Sequence, residues 1–323
     1  MATIKDIADE VGISKTAVSR ILNHKGSFSQ DTILKVERVA KKLNYVSPGM
    51  QRETSDARKT IAAVCPVGKT YFGIFGMYLE EAAYNYGYSL LICSSAYDNE
   101  EIDEFLGGLR EHGVSGVVFA SISAHPEELA SSGFPLVAVG HPLADGVPYV
   151  HADNFAAGRI AARHLLSRGV QKPLYISNYA DGLVADMRYQ GFCEELEHAN
   201  VMAWPYILNS DSVNPKEASE TITRMILEHP DADGVFAESQ SLAIACLGVY
   251  QDLGYAIPQQ VKLIGYGTHA MSKSTFPRMT IVRENTREIA FEAVSMLADQ
   301  IENERCAKKE HIVAVSLEQR QTT

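Results

Sequence analysis

The first apolar positions of the chain, Ile4, Ile7, Ala8 and Val11, recur at i, i+3, i+4 and i+7, which is one face of a helix. Thr3 stands before them as an N-cap, and Asp6 falls in the first turn. Gly12 permits a tight turn, and Ser14 caps a second helix that begins at Lys15. At 100° per residue, Lys15, Thr16, Ser19, Arg20 and Asn23 fill one polar arc of roughly 140°. Ala17, Val18, Ile21 and Leu22 fill the opposite side. After a polar break at residues 23–27, Ile33, Val36, Ala40 and Leu43 make a third apolar stripe. The pattern predicts a small all-α head built on a helix-turn-helix. Its second helix buries one face and presents donors with little acidic charge on the other, as a helix lying in a DNA major groove requires.

Beyond Tyr45 the periodicity stops. Val46 to Thr60 is polar and punctuated by Pro48-Gly49, which predicts an interdomain linker. From residue 61 the pattern changes again. β-rich apolar runs (Ile61–Cys65, Ser89–Ser94, Gly116–Ala120, Leu136–Val139, Tyr149–Ala152, Leu174–Ser177, Trp204–Leu208, Gly234–Ala237, Lys262–Tyr266, Thr280–Arg283) alternate with amphipathic stretches. The latter include Phe105–His112, Ala157–Arg168, Arg188–His198, Glu217–Glu228, Leu242–Leu253 and Ile289–Glu302. Such alternation predicts parallel strands covered by helices on both faces, a doubly wound α/β fold. Some 260 residues of it exceed one comfortable core, so two lobes are expected.

The N-terminal residues Thr3-Ile4-Lys5-Asp6-Ile7-Ala8, Val11-Gly12-Ile13-Ser14 and Ala17-Val18-Ser19-Arg20-Ile21-Leu22-Asn23 resemble the motif of the lactose-repressor (LacI/GalR) family of bacterial transcription regulators. Lys41-Lys42-Leu43-Asn44-Tyr45 resembles the end of that family's third helix. The resemblance continues in Val150-His151-Ala152-Asp153-Asn154 with Gly158, Arg188-Tyr189-Gln190-Gly191-Phe192, Ile257-Pro258, Lys262-Leu263-Ile264-Gly265-Tyr266 and Thr280-Ile281-Val282-Arg283. It implies an α/β fold class with an N-terminal all-α helix-turn-helix head and a two-lobed, periplasmic-binding-protein-like effector domain of doubly wound parallel sheets. The implied domains are a head over 1–46, a linker or hinge over 47–60, and an effector-binding and dimerisation domain over 61–323. Its first lobe takes in about 61–157 and 286–315, its second about 158–285 and 316–323. In that fold the chain crosses between lobes three times and a ligand closes the cleft.

By the same resemblance Lys15, Thr16 and Arg20 read bases, while Ser14, Ser19 and Asn23 touch phosphate; Thr3 and His24 complete the DNA-binding set. The family commonly has Thr where this chain has Ala17. It commonly forms a hinge helix with Ala-Arg-x-Leu, whose Leu wedges into the minor groove. Here Ala57-Arg58-Lys59-Thr60 has Thr at that place, and Met50 is the large apolar residue left as a wedge.

Charge sharpens the division of labour. The chain carries −11 overall, but residues 1–60 hold 11 Lys+Arg against 7 Asp+Glu, leaving −15 on the remainder. A basic head on an acidic body fits DNA binding by the head alone. One head makes few base contacts, so a homodimer on a near-palindromic double-stranded operator is expected. The cysteines (Cys65, Cys93, Cys193, Cys246, Cys306) are scattered without CxxC or metal spacing, which reads as buried free thiols in a reducing cytosol. No basic and apolar leader precedes Thr3 and no run is long enough to span a membrane, so a soluble cytoplasmic protein with no membrane partner is expected.

Enzymatic signatures are missing. Gly265-Tyr266-Gly267 and Gly107-Gly108 are not dinucleotide fingerprints, and there is neither a Walker loop nor a Gly-x-Ser-x-Gly elbow. No cofactor, metal or catalytic residue is predicted. The reading is a transcriptional regulator, a repressor, controlled by a small molecule (a sugar or an anionic metabolite); the alternative is an effector-independent or protein-co-regulated DNA binder with a vestigial cleft.

Asp153-Asn154 reads as a helix cap. Arg188, taken alone, is an exposed helical Arg, but the resemblance makes it a cleft residue that hydrogen-bonds ligand oxygens. The resemblance also carries the family's acceptor positions onto Gly140, Ser239 and Gly267, where the carboxylates and Asn of sugar-binding members are gone. Lys69, His141 and His269 lie in or beside cleft-lining segments, Thr286 joins the effector set, and Tyr71, Phe72 and Tyr149 offer stacking surface. A cationic cleft without opposing carboxylates predicts an anionic effector such as a phosphorylated sugar or another phosphate or carboxylate metabolite; the alternative is a neutral sugar held by backbone groups and Ser239.

Overall fold

The computed structural model describes residues 4–22, 28, 32, 35–36, 39, 59–66, 70–94, 102–121, 123, 125–177, 183–208, 215–303 and 308–323. The chain forms two compact units, Met1–Arg58 and Lys59–Thr323.

In the first unit, helix α1 spans Ile4–Val11 and α2 spans Lys15–Leu22. The turn between them is closed by Gly12 and Ile13, whose N–H groups donate to the Ala8 carbonyl at 2.9 and 3.1 Å. Gly12 has φ +79°, a left-handed conformation that glycine takes without strain. Ile7, Ala8, Val18, Ile21 and Val36 are buried together, with Ile4, Val11, Ile13, Phe28 and Val39 packed around them. Thr32, Lys35, Val36 and Val39 are helical, on the segment where the third stripe was expected.

In the second unit the elements are β1 (Thr60–Cys65), α3 (Thr70–Asn85), β2 (Ser89–Ser94), α4 (Ile102–Glu111), β3 (Val114–Phe119), α5 (Pro126–Ala130), β4 (Leu136–Val139) and β5 (Tyr149–Ala152). There follow α6 (Asn154–Ser167), β6 (Pro173–Ser177), α7 (Leu183–Glu197), β7 (Trp204–Ile207), α8 (Pro215–Glu228), β8 (Gly234–Ala237), α9 (Gln240–Asp252) and β9 (Lys262–Gly267). The chain closes with α10 (His269–Ser274), β10 (Thr280–Arg283), α11 (Thr286–Asn303), β11 (Glu310–Val313) and β12 (Ser316–Glu318).

These strands make two six-stranded sheets, in the orders β11-β5-β4-β3-β1-β2 and β12-β10-β9-β8-β6-β7. Every strand pair is parallel except β10 with β12. The chain passes between the sheets three times: from β5 to β6, from β10 to β11, and from β11 to β12. Helix α6 packs on β8, β9, β10 and β12 of the second sheet, so the first crossing is complete by Asn154. Strands β11 and β12 and helix α3 were not singled out by periodicity. The two strands are short and mostly polar, and α3 is apolar around much of its circumference (TYFGIFGMYL).

One buried apolar cluster runs continuously from Ile61, Phe75, Val118 and Val294 of the first lobe to Phe192, Phe236, Tyr266 and Val282 of the second. Cys65, Cys93, Cys193 and Cys246 are free thiols, each raised by burial above its ordinary pKa; Cys306 lies outside the described residues. Among the described residues no helix is long and apolar enough to cross a membrane.

Candidate functional site

On the head, the second helix is capped as its sequence demands: the Ser14 side chain accepts from the Ala17 N–H at 3.2 Å. Val18 and Ile21 point into the head core, while Lys15, Thr16 and Arg20 are exposed and Ser19 is half-buried. The predicted base readers therefore form a solvent-facing row on a seated helix. Ser14, assigned to phosphate, already spends its side-chain oxygen on the cap. Thr3, Asn23, His24, Met50 and the 47–58 part of the linker lie outside the described residues.

In the body, the carboxyl ends of the second sheet gather a polar cluster around Arg188. Helix α7 places this guanidinium where it is 8% exposed. Its Nε donates to Asn154 Oδ1 at 2.9 Å, and Nη1 donates to Glu238 Oε2 at 2.9 Å and to the Glu238 carbonyl at 2.6 Å. The guanidinium lies 3.5 Å from the Tyr266 ring centroid. Burial opposes its charge, but Tyr266, Glu238, Tyr175 and Glu284 outweigh that, and its pKa rises above the ordinary value.

The reason Arg188 reaches this point lies in two glycines. A Cβ on Gly158 would sit 2.0 Å from the Arg188 carbonyl oxygen, and one on Gly191 would sit 2.1 Å from that of Phe155. Only glycine lets α6 and α7 touch backbone to backbone there. Asp153 caps α6 through the Ala156 N–H at 2.9 Å, leaving Asn154 buried and free to orient Arg188.

Next to Arg188, the loop after β10 supplies Glu284. Its Oε1 accepts from the Tyr71 hydroxyl at 2.5 Å and from Thr286 Oγ1 at 3.3 Å; its Oε2 accepts from the Tyr266 hydroxyl at 2.6 Å. Burial, with the adjacent Glu284 carboxylate, pushes both phenols well above their usual range. Phe72 packs edge-on against Tyr71 at 5.0 Å between centroids.

Of the effector residues read from sequence, Tyr71, Phe72, Arg188 and Thr286 are thus brought together. Ser239 adjoins Glu238 as the N-cap residue of α9, and its buried Oγ has no hydrogen-bond partner among the described residues. Gly267 ends β9, and its carbonyl accepts the Glu284 N–H at 3.1 Å. Gly140 and His141 leave the carboxyl end of β4 on the first sheet. Gly140 donates to the Val150 carbonyl at 2.9 Å; His141 is lowered below its ordinary pKa by burial, against a hydrogen bond to the Ser121 backbone. Tyr149 is engaged elsewhere: its hydroxyl donates to Glu310 at 2.6 Å and its ring stacks on His151 at 5.2 Å. His269 pairs with Glu318 at 2.8 Å, and Lys69 lies outside the described residues.

The expectation of a cationic cleft without opposing carboxylates is corrected here. Glu238 and Glu284 both stand at the cluster, one residue before Ser239 and one after β10. The family's acceptor positions fall on Gly140, Ser239 and Gly267, not on these neighbours. The signal available was local: each Glu directly follows an apolar strand, GVFA and TIVR, where a side chain emerges at the carboxyl edge of a parallel sheet. Among the described residues no group of three or more His, Cys, Asp or Glu could hold a metal ion.

Comparison with known proteins adds independent findings. A family model described as bacterial regulatory proteins, lacI family, matches residues 3–47, and one described as a periplasmic binding protein-like domain matches residues 162–323. The chain is 29% identical to the sucrose operon repressor of Streptococcus mutans over 325 residues, covering 98% of each. It is 28% identical to the ribose operon repressor of Halalkalibacterium halodurans, covering 100% of this chain and 97% of that one. Among solved structures, it is similar to a periplasmic binding protein/LacI transcriptional regulator from Alkaliphilus metalliredigens complexed with D-xylulofuranose. That match has a TM-score of 0.73 and 25% identity, over 82% of this chain and 99% of the other.

Proposed function

Because the chain belongs to the lacI family of bacterial regulatory proteins, we propose that it is a repressor whose hold on a near-palindromic operator is set by a neutral sugar bound between the two lobes. The head supplies the DNA contacts through Lys15, Thr16 and Arg20, and a homodimer supplies two heads. Exposed apolar side chains on α3 and on the edge strand β2 (Met77, Tyr84, Ile92) support self-association through that face.

The observation that carries the sugar reading is the Arg188–Glu238 pair. A guanidinium already neutralised at 2.9 Å, with Glu284 beside it, offers a phosphorylated ligand little net attraction and two repulsive carboxylates. Sugar hydroxyls suit such a site, since carboxylates, Ser239 and backbone carbonyls accept from them and Arg188 donates to them. The rings of Tyr71 and Phe72 supply apolar surface. The relatives agree in kind: two are named for sugar operons and one holds a ketopentose.

The test pairs a thermal-shift screen of monosaccharides, disaccharides and sugar phosphates with anisotropy titration of a selected operator. A neutral sugar that raises Tm, with little dependence on salt, and changes operator affinity supports the reading. A response confined to sugar phosphates and weakened by salt overturns it. A second reading, regulation without an effector, rests on the buried ion pair with Glu238 that already satisfies the Arg188 charge; it predicts an operator-binding protein that no member of the panel shifts.

A further inference from the structure

Tyr71 and Glu284 lie 213 residues apart and belong to different lobes. Tyr71 is on α3, which packs on β1, β2 and α11 around the first sheet. Glu284 continues β10 of the second sheet, and its own N–H donates to the Gly267 carbonyl at the end of β9. The 2.5 Å hydrogen bond between them is therefore a bond between lobes, whereas the 2.6 Å bond from Tyr266 to the other carboxylate oxygen stays within the second lobe.

The surroundings make this contact selective. With Tyr71, Tyr266 and Thr286 donating, the carboxylate meets three hydroxyls and no cation within hydrogen-bond distance among the described residues. Its charge is thus dispersed through phenol donors, one of which is supplied only when the lobes are together. Tyr71 is held in place by a stack on Phe75 at 6.1 Å and an edge contact with Phe72. Phe75 and Tyr266 belong to the apolar cluster that is continuous across both lobes. Tyr266 also carries Arg188 over its ring, so the inter-lobe bond and the Arg188 cluster share a side chain.

We propose that the Tyr71–Glu284 hydrogen bond is a latch that joins the lobes, and that Tyr71 is the positioning residue through which this joined arrangement sets affinity for operator. A ligand hydroxyl that donates to Glu284 would compete with the Tyr71 phenol for the carboxylate and so couple ligand binding to the contact between the lobes. The operator half of the proposal rests on the regulator reading above; the latch itself does not.

The experiment uses full-length, ligand-free protein with Tyr71→Phe, Glu284→Gln and, as a control, Tyr206→Phe, which removes a 2.6 Å phenol–carboxylate bond to Glu228 inside the second lobe and outside the Arg188 cluster. Hydrogen exchange is followed in peptides covering residues 70–79 and 280–290, and a selected operator is titrated without sugar. A charged hydrogen bond of this kind is worth enough to change a local opening equilibrium by about tenfold. Tyr71→Phe and Glu284→Gln are expected to speed exchange in both peptides by about that factor and to shift operator affinity by about fivefold or more. Tyr206→Phe, which leaves the inter-lobe bond and the Arg188 cluster intact, is expected to keep operator affinity within about twofold. Wild-type exchange in Tyr71→Phe overturns the latch. Faster exchange with unchanged operator affinity overturns the coupling to DNA. Failure of the wild-type protein to select any DNA sequence is a failure of the regulator reading, seen before any variant is made.

Discussion

A side chain on Gly158 would meet the carbonyl oxygen of Arg188 at 2.0 Å, so the residue that centres the site is held there by the absence of a side chain on the facing helix. The contact couples packing to chemistry. Moving α7 away from α6 by the width of a methyl group would withdraw the Arg188 guanidinium from Asn154 and Glu238.

Gly158→Ala and Gly191→Ala should therefore destabilise the protein although alanine is the better helix former by about 1 kcal/mol. The clash is with backbone, which has no rotamer to escape into, so a net loss of at least about 2 kcal/mol is expected. Urea unfolding measures it. A gain in stability for either variant would mean that the helices are not in contact.

Much of this architecture was legible in the chain. The β/α alternation announced parallel sheets, and Ser14 and Asp153 announced helix starts, because local hydrogen bonding and burial are written at short range. Arg188 was legible through its Arg-x-x-Gly-Phe context. Its partners were not. Glu238 and Glu284 are 50 and 96 positions away from it, and nothing in a one-dimensional pattern tells a strand-end glutamate in a shared cleft from one in solvent. The partner of Tyr149 was hidden for a similar reason: Glu310 comes from a strand 161 residues later.

Arg188→Ala leaves the Glu238 carboxylate buried without its cation. Breaking such a pair costs roughly 3–5 kcal/mol. The double variant Arg188→Met with Glu238→Gln removes both charges and should recover part of that loss in chemical denaturation. Both variants should lose the thermal shift given by the effector sugar. Retention of that shift by Arg188→Ala would take Arg188 out of the binding site.

Acid should weaken the fold in two stages. His164 is buried with Nε2 2.8 Å from Thr323 Oγ1, and burial, with Arg168 nearby, lowers its pKa below 6.5. The unfolded chain then binds the proton more readily, so this stability is present above pH 6.5 and is lost as pH falls through the lower folded value. Glu318 follows: burial opposes its charge, but His269, Ser272 and Arg320 together hold it at about 2, so its contribution is complete above 4.5 and is lost between 4.5 and 2. His164→Gln should flatten the Tm profile between pH 7.5 and 5.5, and Glu318→Gln should flatten it only below 4.5. A His164→Gln profile parallel to the wild type would show that His164 is not held neutral.

On the head, Ser14 caps α2, as read from the sequence, and Arg20 stands on the exposed arc of the same helix. Arg20 is exposed on the polar arc of α2 and is expected to read a base edge. Arg20→Ala should cost roughly 1–3 kcal/mol on a selected operator and much less on random DNA, with the helix content unchanged. Ser14 is a cap, so Ser14→Ala should cost about 1 kcal/mol of head stability before any DNA is added. Ser14→Asp keeps the cap but adds a negative charge at the helix start. It should restore stability and still weaken binding to every DNA sequence, because the charge faces phosphate. Equal losses on operator and random DNA for Arg20→Ala would move Arg20 to the phosphate backbone. Unweakened DNA binding by Ser14→Asp would place the start of α2 away from the DNA altogether.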